Sequence, residues 1–129
     1  MATRRPTSPR LNVIDIGDTA LTQLTAEIFS GGPPKDGIPA VDAPQYVSVA
    51  EADAWISPQE PVVLVEVGAE ARAFPIQVLI WHEIANAEVG GLPLAVTFCP
   101  LCNTAIAFER TLDGQVLDFG TTGSSATAT

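Results

Sequence analysis

Two cysteines three positions apart carry the most concentrated reactive chemistry in this 129-residue sequence. Cys99 and Cys102 lie in the segment FCPLCNT, where Pro100 favours a tight turn that can aim both sulfurs at one point. Such a pair has three roles open to it. The thiolates can bind Zn²⁺ or Cu⁺, the thiols can exchange disulfides, or the pair can close into a permanent structural disulfide. The spacing alone does not choose between them.

A metal site needs further ligands, and the single histidine of the chain is the candidate. His82 precedes Cys99 by seventeen positions, on a predicted helix. If this helix packs on the strand that ends at Cys99, the three side chains form a Cys₂His site for one Zn or Cu ion, with an open position. Glu83 or Asn86 would then orient the imidazole or complete the ligand set. A lone helical histidine is more often a hydrogen-bonded structural residue, so the assignment depends on the nearby thiols.

The other functions start from the same residues. In thioredoxin-like proteins the C-x-x-C pair opens a helix whose N-terminus stabilises the thiolate, whereas TAIAFER after Cys102 is typical of a strand. The structural alternative is an interaction domain with an inert disulfide, which contacts a partner through the loop 31–39. A hydrolase that uses His82, Glu83 and a bound water ranks last, because no nucleophile or oxyanion-hole motif accompanies them.

Hairpins and one helix are predicted around these residues. Residues 62–74 contain two β-prone runs separated by Gly68 and Ala69, which predicts an antiparallel hairpin. Pro75 can open a helix, and apolar residues recur on one helical face as far as Ile84, so the helix is predicted to end at Ala85 or Asn86. A strand over 92–98 follows, and Asp113-Gly114 predicts a second hairpin over 104–119.

The ends of the chain are predicted to be simpler. Residues 1–19 form a disordered lead, residues 20–29 an amphipathic helix, and residues 124–129 a disordered tail.

Ser48 and Glu51 have the spacing of a capping box that opens a short helix over 49–56, with Trp55 facing the core. We therefore expect one α+β domain over 20–123, built from antiparallel hairpins with one packed central helix.

Composition excludes several classes of partner. The 15 acidic and 6 basic residues give a net charge of −9, which makes nucleic acid and anionic membrane poor partners. The longest apolar runs are strand-sized, so no transmembrane segment is expected. Arg4 and Arg5 are adjacent, as in a twin-arginine signal, but no apolar segment with a cleavage site follows them, so no signal peptide is predicted.

The motifs WHEIAN and VTFCPLCNTA, within a match from Glu27 to Gly123, resemble a bacterial family described only as a domain of unknown function. The resemblance implies that a set of seven positions belongs together, without assigning a reaction to it. These positions are His82, Glu83, Asn86, Cys99, Pro100, Cys102 and Asn103. On this basis Asn103 joins Glu83 and Asn86 as a residue that supports the primary groups.

The resemblance also sets expectations about the chain as a whole. Similar sequences continue beyond FGTTG, so this chain resembles a domain truncated at its C-terminus, and an open sheet edge would favour self-association. Family members often resemble exported or envelope-associated proteins. The function expected at this point is a metal-binding or thiol-redox module centred on Cys99 and Cys102.

Overall fold

A computed structural model describes residues 28–30, 32–122 and 124–126 of the chain. The predicted disordered lead and residues 20–27 of the predicted first helix lie outside this part. The strands are β1 Ile28–Ser30, β2 Val41–Asp42, β3 Val62–Val67, β4 Glu70–Pro75, β5 Ile84–Val89, β6 Leu92–Cys99, β7 Thr104–Glu109, β8 Thr111–Leu112, β9 Gln115–Val116 and β10 Ser124–Ala126. The helices are α1 Val49–Ala52 and α2 Ile76–His82.

The chain divides into two compact units. One spans residues 30–124, and the other comprises 1–29 and 125–129, of which the structure describes 28–29 and 125–126. Strands β1 and β10 pair as a two-stranded sheet. Residues 28–29, predicted as the end of a helix, are therefore strand, and so are residues 124–126, which the sequence places in a disordered tail.

A four-stranded sheet in the order β2-β5-β6-β7 is the centre of the larger unit. Strand β2 runs parallel to β5, and the other neighbours are antiparallel. Gly90 and Gly91 make the two-residue turn between β5 and β6, with φ of 58° and 74°, a backbone conformation that glycine adopts without steric cost. Strands β3 and β4 form the predicted hairpin. The α+β class with antiparallel hairpins is thus confirmed.

The core lies where α2 and the β3-β4 hairpin meet one face of the four-stranded sheet. Leu79 of α2, Phe74 of β4 and Val65 of β3 are buried together with alternate residues of β5 and β6. Burial of these apolar side chains supplies the main stabilisation of the unit. Trp55, predicted to face the core, is instead 54% exposed, because α1 ends at Ala52 rather than at residue 56.

Two predicted boundaries are wrong, and both errors arise from sheet pairing. The central helix ends at His82, where Glu83 takes φ of 60°, and residues 84–89 pair as a strand between β2 and β6. The second hairpin has its turn at Asp113-Gly114 but spans only β8 and β9, because β7 pairs with β6. The hydrogen bonds and burial of a central sheet outweigh local helix periodicity.

Candidate functional site

The four-residue turn 99–102, where β6 passes into the loop before β7, carries both cysteines. Cys99 ends β6 and pairs with Thr104, the first residue of β7, so residues 100–103 form the whole connection. Asn103 adopts φ of 50°, which asparagine tolerates better than most residues. The Thr104 hydroxyl donates a hydrogen bond to the Cys102 carbonyl over 3.1 Å. The hairpin therefore holds the two cysteines on one short, braced loop.

The two thiols are unpaired and adjacent. Cys99 is half-buried, Cys102 is exposed, and the two residues approach each other to 2.6 Å. The backbone N–H of Cys102 donates to Cys99 Sγ over 3.2 Å. The hydrogen bond to the Cys99 side chain raises the pKa of the Cys102 thiol, and desolvation and the charge of Cys99 act in the same direction. These contacts make the Cys102 thiol harder to ionise than an ordinary cysteine.

His82 is the last residue of α2 and is half-buried. Its Nδ1 lies 2.8 Å from the carbonyl oxygen of Pro39, so the ring N–H donates a hydrogen bond to this oxygen. Within the described residues, no group of three or more histidine, cysteine, aspartate and glutamate side chains is close enough to hold a metal ion. The predicted Cys₂His ligand set of His82, Cys99 and Cys102 stays a prediction.

The three supporting residues lie in different places. Glu83 follows α2 and borders the same surface groove as the thiols. Asn86 is 1% exposed in β5, and its side chain bonds to Asp42 Oδ1 over 2.7 Å and to both backbone polar groups of Phe119 over 2.9 Å. Asn103 lies in the thiol turn itself. These hydrogen bonds of Asn86 hold the segment around Phe119 against the sheet.

A groove of about 450 Å³ opens beside the two cysteines. Ile84, Thr97 and Ile106 lie directly opposite one another on β5, β6 and β7, and they line its floor. Phe108 lines the groove on the same strand as Ile106, and these two side chains are 45% and 50% exposed. The thiols thus lie at one end of a mainly apolar face of the sheet.

The groove is absent from the sequence-based predictions, although β7 carries a signal for it. Large apolar side chains at Ile106 and Phe108 alternate with alanines at 105 and 107. In a strand this pattern places both large side chains on one face. That this face forms a groove depends on pairing with β6, which places Ile106 opposite Thr97 and which the local pattern does not specify.

The fold and the site define an α+β protein that presents a dithiol on a tight hairpin turn. The family model described as "Protein of unknown function (DUF3179)" matches residues 35–128. The chain belongs to this family, which confirms the expectation of a domain family of unknown function. No curated protein and no solved structure matches it. In the part of the chain that the structure describes, no helix has the length and apolar character needed to cross a membrane.

Proposed function

We propose that this chain is a thiol–disulfide exchange module in which Cys99 and Cys102 cycle between a dithiol and a disulfide. The observation that carries the proposal is the pair of free thiols on one four-residue turn, with the Cys102 N–H directed at Cys99 Sγ. A thiolate that accepts a backbone hydrogen bond is stabilised as an anion and is available as a nucleophile. Exchange chemistry requires two sulfurs and no third ligand.

The two cysteines take different roles. The Cys99 thiolate attacks one sulfur of a partner disulfide, a Cys99–partner disulfide forms, and the other partner sulfur leaves as a thiolate that takes up a proton. Cys102 then loses its proton and attacks Cys99 Sγ, and the Cys99–partner bond breaks as the second partner sulfur leaves and takes up a proton. The products are the Cys99–Cys102 disulfide and two partner thiols. Two electrons pass from the module to the partner disulfide.

Trapping of the mixed disulfide tests these roles. In Cys102→Ser the resolving thiol is missing, so reaction with oxidised glutathione should leave a stable adduct on Cys99, detected by intact mass spectrometry. In Cys99→Ser we expect a slower reaction, because the remaining thiol lacks the backbone N–H donor that Cys99 has. An adduct that forms faster on Cys102 than on Cys99 would reverse the role assignment.

Equilibration of the unmodified chain in glutathione buffers tests the proposal itself. We expect a reversible change between dithiol and disulfide, measured by quenching with an alkylating agent and counting the alkyl groups by mass. A pair that stays oxidised in every buffer would instead support the inert structural disulfide. A pair that never oxidises would refute exchange chemistry.

A second candidate is binding of one Cu⁺ ion by the two thiolates. The same turn supports it, since thiolates are the ligands that Cu⁺ prefers and both sulfurs can reach one ion. Binding of Zn²⁺ would require His82 as well, through Nε2, because its Nδ1 is bonded to the Pro39 carbonyl. Anaerobic titration followed by native mass spectrometry separates the two ions. Cu⁺ should bind equally to the unmodified chain and to His82→Gln, whereas a Zn²⁺ site should be lost in that variant.

A further inference from the structure

The groove beside the thiols has the chemical character of a binding surface for polypeptide. Ile84, Ile106 and Phe108 give it an apolar lining, and Thr97 lies between the two isoleucines across the sheet. About half of the surface of Ile106 and nearly half of that of Phe108 is exposed to solvent. A partner that covers these side chains would remove apolar surface from water and bind more tightly as a result.

The outer edge of β7 adds a backbone component. In the order β2-β5-β6-β7, the last strand has a neighbour on one side only among the described residues. An extended polypeptide can pair with such an edge through main-chain hydrogen bonds, while its alternate side chains enter the neighbouring groove. Because β7 begins directly after the thiol turn, a segment paired with it would end directly beside this turn.

Charge specifies the partner further. Glu83 is the one charged residue in the groove lining, and no cation among the described residues lies within ion-pair distance of it. The chain as a whole has a net charge of −9. An acidic segment would be repelled from this surface, whereas a lysine or arginine beside Glu83 would be attracted.

We propose that the groove selects the substrate of the dithiol: a disulfide carried by an extended, apolar polypeptide segment with a basic residue near its cysteine. This inference rests on the exchange function proposed above. The apolar side chains of the segment cover Ile106 and Phe108, and the basic residue pairs with Glu83. Its disulfide then lies against Cys99, and the exchange proceeds with the same electron balance, two electrons and two protons leaving the module for the substrate.

Single-turnover reduction of synthetic peptide disulfides tests the selection. The probe is a six-residue peptide with valine and isoleucine flanking a cysteine, one lysine, and glutathione as the mixed-disulfide partner. One reference peptide has serine at the apolar positions, and another has glutamate in place of lysine. We expect the probe to react about tenfold faster than the serine peptide, as burial of one or two aliphatic side chains implies. It should also react faster than the glutamate peptide, by a margin that shrinks as salt is added.

Variants of the chain separate the groove from the thiols. Ile106→Thr keeps a β-branched side chain on the strand and should slow the apolar probe several-fold more than it slows 2-hydroxyethyl disulfide. Val116→Thr is the matched control, since Val116 is similarly exposed on a strand outside the groove. Glu83→Gln should remove the preference for lysine over glutamate and leave the preference for apolar residues.

The outcomes distinguish the two proposals. Reaction with 2-hydroxyethyl disulfide at the same rate as with all three peptides would overturn the groove proposal and leave the exchange function intact. No reaction with any disulfide would overturn the exchange function. A dimer that persists at the assay concentration and is not displaced by the probe would assign the groove to a second copy of the chain, and would also overturn the substrate proposal.

Discussion

Asn86→Asp is the most informative test of how the sheet is held to the segment around Phe119. The substitution preserves size and shape but replaces the amide Nδ2, a double donor, with an acceptor oxygen. Nδ2 now donates to Asp42 Oδ1 over 2.7 Å and to the Phe119 carbonyl over 2.9 Å. Both contacts would become repulsive, in a side chain that is 1% exposed.

The expected loss follows from these two contacts. A hydrogen bond to a charged acceptor contributes about 1.5–3 kcal/mol, and a neutral bond about 0.5–1.5 kcal/mol. Repulsion between two neighbouring carboxylates adds to the loss, although the exposed side of Asp42 is screened by water. We therefore expect the free energy of unfolding to fall by about 3–5 kcal/mol at pH 7, a large part of the stability of a small domain.

The destabilisation caused by Asn86→Asp should increase with pH. Repulsion raises the pKa of the introduced carboxyl in the folded chain above its unfolded value of about 3.9. The destabilisation is therefore small below that unfolded pKa and grows as the pH rises through the folded pKa. Urea unfolding followed by circular dichroism at several pH values measures it. Asn103→Asp is the control, because Asn103 is exposed and aspartate also tolerates its positive φ; equal stability of the two variants at pH 7 would refute the reasoning.

Three further predictions concern the β5–β6 turn, the helix α1 and the outer edge of β7. Gly90→Ala should destabilise the chain more than Gly91→Ala. Both positions have positive φ, but only at Gly90 would the new Cβ lie 2.6 Å from the Val67 carbonyl oxygen. Thermal melts of the two variants measure the difference. The Ser48 hydrogen bonds lower the pKa of Glu51. This carboxylate therefore stabilises α1 at pH values above its ordinary pKa, and the effect is lost as the pH falls through the lowered pKa. An NMR titration of Ser48→Ala should show the pKa of Glu51 shifted upward. The edge of β7 predicts weak self-association, which sedimentation velocity should detect as a dimer fraction that increases with protein concentration.

Local patterns predicted the elements whose residues interact within a few positions. The hairpin over 62–74 and the turn at Asp113-Gly114 are present, because turn chemistry and β-branched runs act over short distances. The capping box of Ser48 and Glu51 is present for the same reason. The thiol pair was likewise evident from spacing alone, since a four-residue turn fixes both sulfurs whatever surrounds it.

Residues 84–89 show what local patterns could not predict. Ile84 continues the apolar face of the preceding helix, yet the backbone leaves the helix at Glu83 and enters the centre of the sheet. Residues 84–89 form a strand rather than more helix because they pair with β6 and with Val41 and Asp42, which lie more than forty positions earlier. The same pairing buries Asn86, whose hydrogen bonds to Phe119 no local pattern predicted.

The sequence by itself determined the α+β class, the hairpin turns and the adjacency of Cys99 and Cys102, because each depends on residue types within a few positions of one another. Tertiary structure alone decided that β7 pairs with β6, that Ile106 and Phe108 line an open groove, and that His82 bonds to Pro39. These features depend on contacts between distant segments, whose stability comes from burying a shared core, and no local pattern contains that information.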